Sequence, residues 1–392
     1  MADKHVTLKP GKEKPVRNRH HWIFSGAIAQ MPEHANGECL EVYSSKEEML
    51  GWGYFNNKTM ISGRMLSFDD ASPEEAIFKN LEVAVSMRLS LFDHSVTNAY
   101  RLINGEGDLL PGLIVDRYND VIVIQISTLG MQKFRALIVE WLVKKLSPRS
   151  IYEKSLLPSR KEEGLQDEQG SLHGDVPSGG VEILENGLRF YVSILHGQKT
   201  GFFLDHREMR IHINSISRYK RVLNCFAYTG GFSIYAAAGG AKKVDSVDIS
   251  AAAMQIAERN MELNKLTSEK HQFFTADVFE FLREKPLDYD IVILDPPAFA
   301  KRQKDVVQAC RGYKDINRLA IEKMPKGSIL LTSSCSYHVD EELFQTVVFQ
   351  AAVEAKRTVK IIGRHRIAAD HPINICHPES DYLKSLLLSI DQ

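Results

Sequence analysis

The regular alternation of short apolar runs with helical stretches in the second half of the chain constrains the fold most. From residue 186 onward, stretches of helix length separate five apolar runs, at 221–225, 243–247, 272–274, 291–294 and 328–332. Strand, helix and strand in succession predict parallel strands joined by crossover helices. We therefore expect an α/β fold with a doubly wound, Rossmann-like sheet over residues 186–392.

The preceding residues predict two smaller domains, which agrees with a chain of 392 residues, longer than one ordinary domain. Residues 1–70 hold short extended runs punctuated by glycines, a pattern typical of a small β-barrel. Residues 71–185 predict an α+β domain, with a helix at Pro73–Leu91 and a β-rich run at 121–126. The polar, glycine-rich stretch 161–180 predicts a long exposed loop.

The charge balance restricts the partners of the chain. Lysine and arginine number 49 against 50 acidic residues, so the net charge of −1 gives no field over the whole protein that would gather phosphates. Any nucleic-acid site must therefore be local. The first 21 residues are a basic arm beside aromatic residues, which indicates either a contact that follows an RNA backbone or a mobile, solvated tail.

Cysteine usage and hydropathy indicate the compartment. The five cysteines are scattered and form no Cys-x-x-Cys pair, which argues against a disulfide framework and a zinc knuckle, so we expect no metal site. We find no signal peptide and no apolar run near the ~20 residues that a membrane helix needs. A soluble, cytoplasmic protein without a membrane partner is expected.

Ligands of doubly wound sheets bind outside the carboxyl ends of the strands, and the first such end here runs through Asn224 into Tyr228-Thr229-Gly230 and a helix. Free N–H groups at a helix N-terminus suit a carboxylate or phosphate, although a Gly-Gly turn is more often a plain tight turn. The sequence Gly-x-Gly-x-x-Gly is absent, which counts against a pyrophosphate cofactor.

Two aspartates end the next strands. Asp248 lies eighteen residues after Gly230, where a carboxylate has the reach to accept two ribose hydroxyls, unless it only begins the following helix. Asp277 is placed to meet an adenine amino group, and a plain loop aspartate is the alternative. Together these strand ends indicate a nucleoside site.

Asp295 follows an apolar strand and precedes two prolines, Pro296 and Pro297. Because prolines prevent the strand from continuing, Asp295 is held at the strand end. A carboxylate there can hydrogen-bond the edge of a planar base. Asp-Pro-Pro after such a strand indicates methyl transfer to a nucleobase or to an amide.

Cys335 ends the adjacent strand, within Ser334-Cys335-Ser336. An inert buried cysteine is the alternative. Opposite Asp295, however, a thiolate is suited to a specific reaction: its addition to carbon 6 of cytosine makes carbon 5 a nucleophile able to take a methyl group. His338 is interpreted as a surface imidazole.

Three longer segments carry a resemblance: 21–28 (HWIFSGAI), 106–116 (EGDLLPGLIVD) and 197–207 (GQKTGFFLDHR). With the Asp-Pro-Pro and Ser-Cys-Ser motifs they resemble the bacterial large-subunit rRNA cytosine-5 methyltransferases of the methyltransferase I type, in the class I S-adenosylmethionine-dependent superfamily. The resemblance extends over the whole chain.

The resemblance implies a PUA-type RNA-binding barrel at 1–70, a central α+β domain at 71–185 and a methyltransferase domain at 186–392. It implies S-adenosyl-L-methionine as cofactor and 23S rRNA or its large-subunit precursor as partner, with a homodimer left open. The implied catalytic residues are Cys335 as nucleophile and Asp295. The candidate cofactor residues, from the strand ends and the resemblance, are Lys199, Thr200, Asp205, Asn224, Phe226, Tyr228, Thr229, Gly230, Asp248, Asp277 and Asp295.

Three positions depart from the family pattern. His21 stands where proline is usual, His206 where glutamine is frequent, and the bulky Tyr337 follows Ser336, where it is expected to reshape the base pocket. The alternatives are nitrogen methylation of guanine or adenine on the same fold, with a structural Cys335, and a non-catalytic RNA-binding or assembly protein. A nicotinamide dehydrogenase is disfavoured by the missing glycine motif.

Overall fold

The chain folds into two units, and the computed structural model describes residues 4–300 and 302–391. Unit 1 comprises the residues up to Gly187 together with Val192–Leu204 and Ala369–Ser380. Unit 2 comprises Leu188–Tyr191, Asp205–Ala368 and the residues from Asp381 onward. This division differs from the three predicted consecutive domains, because short segments within 186–392 pack with the residues that precede them.

A six-stranded sheet is formed by the first part of unit 1. Its strands lie in the order β2-β6-β5-β4-β1-β3, with β1 parallel to β4 and antiparallel to β3. The bounds are β1 (His5–Leu8), α1 (Lys14–Arg17), β2 (Trp22–Phe24), β3 (Ile28–Gln30), β4 (Glu38–Tyr43), β5 (Met49–Phe55) and β6 (Ile61–Met65). The expectation of a mobile tail is therefore wrong for β1, which lies between two strands. Residues 1–3 of the basic arm lie outside the described residues.

A five-stranded sheet, in the order β11-β10-β9-β8-β7, forms the rest of the unit 1 core. Helix α2 begins at Pro73 because Ser72 and Glu75 form a capping box. The bounds are α2 (Pro73–Leu91), β7 (Ala99–Asn104), β8 (Leu113–Tyr118), β9 (Val121–Ile126), α3 (Leu129–Lys133), α4 (Arg135–Leu146), β10 (Ser150–Ser155), α5 (Pro158–Glu163), β11 (Glu168–His173) and β12 (Val181–Glu185).

The prediction of a long loop at 161–180 is wrong, since α5 ends and β11 lies within that range. Strand β11 pairs antiparallel with β10 at the edge of the sheet. An edge strand is stabilised by main-chain hydrogen bonds on one side, so it needs no continuous apolar run and its polar sequence resembles a loop.

The segment Ala369–Ser380 belongs to unit 1 through contacts with β7 and α2. The carboxylate of Asp370 accepts the main-chain N–H of Arg101 at 2.8 Å, and its carbonyl oxygen accepts a hydrogen bond from buried Arg88 at 2.7 Å. Arg88 also donates to both carboxylate oxygens of Asp108, at 2.6 and 2.8 Å. A late segment of the sequence thus completes the hydrogen bonding of an early helix.

Unit 2 contains the predicted doubly wound α/β sheet, with strands in the order β16-β15-β14-β17-β18-β20-β19. Its first five strands are parallel, whereas β20 runs antiparallel to both neighbours. The bounds, beginning with a strand that spans residues of both units, are β13 (Leu188–Val192), α6 (Arg207–Ile216), β14 (Arg221–Cys225), α7 (Gly231–Ala238), β15 (Lys243–Asp248), α8 (Ala251–Leu263), β16 (His271–Thr275), α9 (Val278–Glu284), β17 (Ile291–Leu294), α10 (Val306–Lys323), β18 (Ser328–Ser334), α11 (Glu341–Glu354), β19 (Val359–His365) and β20 (Lys384–Ile390).

The strand order of unit 2 determines where the functional candidates lie. Strands β14, β17 and β18 are neighbours and parallel, so their carboxyl ends meet at one edge of the sheet. None of the helices in the described ranges has the length and apolarity required to span a bilayer.

Candidate active site

Asp295 and Cys335 follow adjacent parallel strands. In the register of β17 and β18, Leu294 pairs with Thr332. The half-buried thiol of Cys335 donates a hydrogen bond to the carbonyl oxygen of Pro296, over 3.8 Å. The structure thus brings the thiol to the residue directly after Asp295, as predicted from the strand order.

His206 is paired with the carboxylate of Asp295. The distance from His206 Nε2 to Asp295 Oδ1 is 3.1 Å, and the Asp295 side chain is 23% exposed whereas that of His206 is buried. Burial by itself lowers the pKa of His206, but the charge of Asp295 and this hydrogen bond outweigh it, so the pKa is raised. The sequence showed His206 only as a departure from the family pattern and did not predict this pair.

A hydrogen-bonded cluster fixes the chain after Cys335. Buried Ser336 accepts the main-chain N–H of Ala300 at 3.1 Å, and its hydroxyl lies 2.9 Å from that of Tyr313. Tyr337 is 51% exposed, and its ring meets His338 edge-on with centroids 5.2 Å apart. The expectation that Tyr337 reshapes the base pocket stays a prediction.

The loop after β14 has an unusual backbone. Phe226, Tyr228 and Gly230 have φ values of 58°, 47° and 80°, in the left-handed region that ordinary side chains rarely adopt. Asp248 stabilises this loop, since its carboxylate accepts the N–H of Tyr228 and of Ser250, both at 2.9 Å. A carboxylate offers about four lone-pair positions, so acceptor capacity remains for two ribose hydroxyls.

The remaining loop residues are closely packed. Asn224 is buried and its amide donates to Ser233 at 2.9 Å, so it supports the loop from inside. The buried hydroxyl of Thr229 has no hydrogen-bond partner among the described residues. A side chain on Gly230 would lie 2.9 Å from Ala257 and Ile234. The loop therefore fits a nucleoside cofactor held by Asp248 and by main-chain groups.

Two further candidates of unit 2 have structural partners. Asp277 is the N-cap of α9, where its carboxylate accepts the N–H of Glu280 at 3.0 Å. Asp205 is buried and accepts a hydrogen bond from Tyr382 at 2.7 Å. Their roles in cofactor binding stay predictions.

Lys199 and Thr200 belong to unit 1. The buried hydroxyl of Thr200 donates to Asp116 at 2.6 Å and lies 2.8 Å from that of Tyr118. The Lys199 ammonium lies 4.7 Å from the centre of the Phe203 ring. Thr200 thus serves the hydrogen bonding of unit 1, and direct contact of either residue with the cofactor remains a prediction.

One cluster of potential metal ligands occurs within the described ranges: the nitrogen and oxygen atoms of His20, His377 and Glu379 lie within 4.8 Å of one another in unit 1. His20 Nδ1 accepts the main-chain N–H of Trp22 at 3.2 Å. In the neutral ring the proton is therefore on Nε2, which lies 3.0 Å from Glu379. A hydrogen bond from His20 to Glu379 therefore explains why these side chains lie together.

Comparison with known proteins identifies the family. Residues 167–358 match the model of the S-adenosylmethionine-dependent methyltransferase family, and residues 6–68 match that of the PUA-like domain. A ribosomal RNA large subunit methyltransferase I of Aliivibrio fischeri is 43% identical over 385 residues, which cover 97% of each chain. The chain belongs to the ribosomal RNA large subunit methyltransferase I family.

Further members of the ribosomal RNA large subunit methyltransferase I family agree, such as that of Escherichia coli strain UTI89, 40% identical over 97% of each chain. A solved SAM-dependent methyltransferase of Streptococcus mutans shares the fold, with a TM-score of 0.84, 24% identity and coverage of 98% of this chain and 99% of that one. A methyltransferase solved with SAH gives a TM-score of 0.85 at 25% identity, with the same coverage. The predicted methyltransferase activity, S-adenosylmethionine cofactor and PUA-like domain are thereby confirmed.

Proposed function

We propose that this enzyme methylates carbon 5 of a cytidine in 23S rRNA, through a covalent bond between Cys335 and carbon 6 of the base. One observation carries the proposal: the Cys335 thiol lies against the Asp295-Pro296 backbone at the carboxyl edge of the methyltransferase sheet. A nucleophile and a base-binding carboxylate at adjacent strand ends are the two groups that this reaction requires.

The need for a thiol follows from the chemistry of cytosine. Carbon 5 is a poor nucleophile until the Cys335 thiolate forms a bond to carbon 6, which shifts the electrons of the 5,6 double bond toward carbon 5. The cofactor supplies the methyl group that carbon 5 then accepts. A water molecule acting as base takes the proton from carbon 5, the electrons of that C–H bond restore the 5,6 double bond, and the sulfur–carbon bond breaks, so Cys335 leaves as the thiolate.

Asp295 is suited to hold the base. Its Oδ1 lies near His206, which leaves Oδ2 to accept from the exocyclic amino group of cytosine. His206 thereby orients the carboxylate and balances its charge. Asp248 and the loop at Phe226, Tyr228 and Gly230 hold the cofactor.

RNA as the substrate is supported by the family name of the relatives and by the PUA-like domain. A base becomes accessible to such a site when it is unpaired or flipped out of its stack. Because the net charge is −1, RNA must be bound through a local group of lysines and arginines. Contacts between such cations and phosphates weaken as salt rises, so the RNA affinity should depend strongly on salt. Cytoplasmic location and a homodimer remain predictions.

Nucleoside mass spectrometry of 23S rRNA from cells with and without the protein tests this proposal. We expect 5-methylcytidine to disappear in its absence and to return with wild-type protein and with Cys310→Ala, but not with Cys335→Ala. Cys310 is a half-buried cysteine on α10 and serves as the matched control. Loss of a methylated guanine or adenine instead would establish nitrogen methylation.

A second assay tests the covalent bond directly. RNA containing 5-fluorocytidine should form a denaturant-stable adduct with the wild-type enzyme, because fluorine cannot leave carbon 5 as a proton does. Cys335→Ala should form none while keeping S-adenosylmethionine affinity within a few fold. If the wild-type protein binds RNA but neither forms the adduct nor transfers a labelled methyl group, it is an RNA-binding module and not an enzyme.

A further inference from the structure

A cavity of about 470 Å³ lies within unit 1, between α1, β2 and the late segment that contains Glu379. Buried Val16 and Ile23 form part of its apolar wall. The rings of Trp22 and Phe24 also line it, and Glu379 contributes a carboxylate. Cavities of about 300–1,000 Å³ with mostly apolar walls and a few polar groups are typical of small-ligand sites. This cavity is therefore large enough to receive a planar base.

The two aromatic rings differ in how firmly they are held. The indole N–H of Trp22 donates to Glu106 at 3.0 Å, and the ring meets that of buried His377 edge-on, with centroids 4.6 Å apart. Phe24 is 47% exposed, and its ring lies 6.4 Å from that of Trp22 at 84°. Every nucleobase has a flat face that stacks on such rings. A fixed ring beside an exposed one thus provides a platform for a base.

Glu379 supplies a hydrogen-bond acceptor to the cavity. Its Oε1 accepts from His20 Nε2 at 3.0 Å, and its side chain is 29% exposed. Burial by itself raises the pKa of Glu379, but the hydrogen bond from His20 outweighs this effect, so the pKa is lowered and the carboxylate is ionised at neutral pH. An ionised carboxylate accepts hydrogen bonds and donates none. Glu379 therefore favours a base whose edge presents N–H groups.

Guanine has the edge that such an acceptor fits. Its Watson–Crick edge carries two neighbouring donors, the N1–H and the 2-amino group. Adenine and cytosine place an acceptor nitrogen beside their amino group, and uracil places its N–H between two carbonyl groups, so each would set an acceptor against the carboxylate. The same edge is occupied in a base pair, so the guanine must be unpaired.

The chain on the α1 side of the cavity is basic. Residues 9–19 contain five lysines and arginines and one acid, Glu13, and Lys12 lines the cavity itself. Arg17 of this stretch forms an ion pair with Glu48. In a chain with a net charge of −1 this is a local excess of cations, which suits the phosphates of an RNA strand. The charge therefore favours a base within RNA over an uncharged aromatic compound.

We propose that this cavity binds one unpaired guanine of the RNA substrate, with its ring packed against Trp22 and Phe24 and its Watson–Crick edge on Glu379. Lysines and arginines of residues 9–19 contact the adjoining phosphates. The guanine is a second nucleotide besides the cytidine that is methylated. This inference rests on the proposed function, in which RNA is the substrate, and it gives unit 1 a base-specific contact.

The experiment compares the affinities of full-length protein for fluorescein-labelled uridine decamers with one central guanosine, inosine or adenosine, measured by fluorescence anisotropy. Inosine lacks only the 2-amino group of guanosine. We expect the guanosine RNA to bind about 5-fold or more tightly than either of the others, the usual discrimination of a good paired contact. This comparison uses the wild-type protein and does not depend on the folding of any variant.

Two variants assign the contacts. Glu379→Gln keeps an acceptor for His20 but loses the charge, and should remove most of the preference for guanosine over inosine. Phe24→Ala should weaken binding of the guanosine RNA by about 10-fold, the usual effect of losing one stacking ring.

Each variant has a matched control. Glu140→Gln alters a carboxylate that pairs with Lys144 elsewhere in unit 1, and Tyr219→Ala removes a ring that is 73% exposed in unit 2. Both controls should bind the three RNAs like the wild type.

The proposal is overturned if wild-type protein binds the three RNAs equally, which would leave a contact with phosphates alone, or if folded Glu379→Gln and Phe24→Ala bind like the wild type. The proposed function fails separately, if Cys335→Ala still produces 5-methylcytidine. If Cys335→Ala is inactive but guanosine is not preferred, only the present inference fails.

Discussion

His206 Nε2 lies 3.1 Å from Asp295 Oδ1, so a buried imidazole orients the carboxylate that follows β17. The pair joins the residue before α6 to the end of β17. It also links the protonation of one side chain to the stability of the protein.

Replacement of His206 by glutamine should flatten the pH dependence of stability. Because the folded-state pKa of His206 is raised, its ionised form stabilises the protein fully below ~6.5, and this contribution is lost as pH rises through the raised value. Thermal unfolding from pH ~5.5 to ~9 should therefore show a steeper decline for the wild type than for His206→Gln. The exposed His173→Gln serves as the control, and parallel curves for all three proteins would contradict the pair's role.

Asp295→Asn should lower the methylation rate by about 100-fold or more, since the substitution keeps the shape of the side chain but loses the charge that we propose holds the base. Single-turnover methylation of RNA measures this effect. Asp290 directly precedes β17 and accepts the N–H of Arg221 at 2.8 Å, so Asp290→Asn is a control for altering a carboxylate that flanks the same strand. Equal rates for the two variants would remove Asp295 from the base site.

Two substitutions separate the capping and binding roles of Asp277. Asparagine caps helices as well as aspartate, so Asp277→Asn should melt like the wild type, whereas Asp277→Ala should lose about 1 kcal/mol. If the carboxylate also binds the adenine amino group, both variants should bind S-adenosylmethionine more weakly, by several fold in calorimetric titration. Wild-type affinity in Asp277→Asn would leave this residue with the capping role alone.

Gly230→Ala should destabilise unit 2 more than Gly327→Ala. Both glycines have positive φ, 80° and 82°, so both alanines suffer the same backbone strain. The added carbon at 230 lies 2.9 Å from Ala257 and Ile234, but at 327 no atom is within 4 Å. We expect Gly230→Ala to lose about 1–3 kcal/mol more of the free energy of unfolding than Gly327→Ala. Calorimetry would show this difference as a lower melting temperature for Gly230→Ala. A similar loss in both variants would show that the loop can shift to accept the added carbon.

The doubly wound sheet was predictable because its central strands are buried on both faces. All residues of Ile291–Leu294 are buried, and such a continuous apolar run is visible in the sequence. Strands β11 and β19 were missed, since edge strands with exposed side chains have no comparable run. The cap at Asp277 could have been inferred from Glu280 three residues later, which completes the pattern of a capping box.

The adjacency of Asp295 and Cys335 was also predictable, because strand order brings the ends of successive parallel strands together. The contact of His206 with Asp295 was not, since it joins side chains far apart in the sequence. His206 does lie in the segment 197–207, but there it only departs from the family pattern and gives no sign of its partner. The placement of His206 beside Asp295 follows from tertiary packing, which the spacing of residues along the chain does not specify.

The hydrogen bonds of Asp370 with Arg101 and Arg88 have a consequence for biosynthesis. The ribosome makes Arg88 and Arg101 well before Asp370, so the early part of unit 1 lacks these partners until the segment 369–380 has been synthesised. The hydrogen bonds of Arg88 and Arg101 with Asp370 therefore cannot form while the residues between them are still being translated. Completion of unit 1 is thus tied to the synthesis of residues 369–380 rather than to the emergence of its own early part from the exit tunnel.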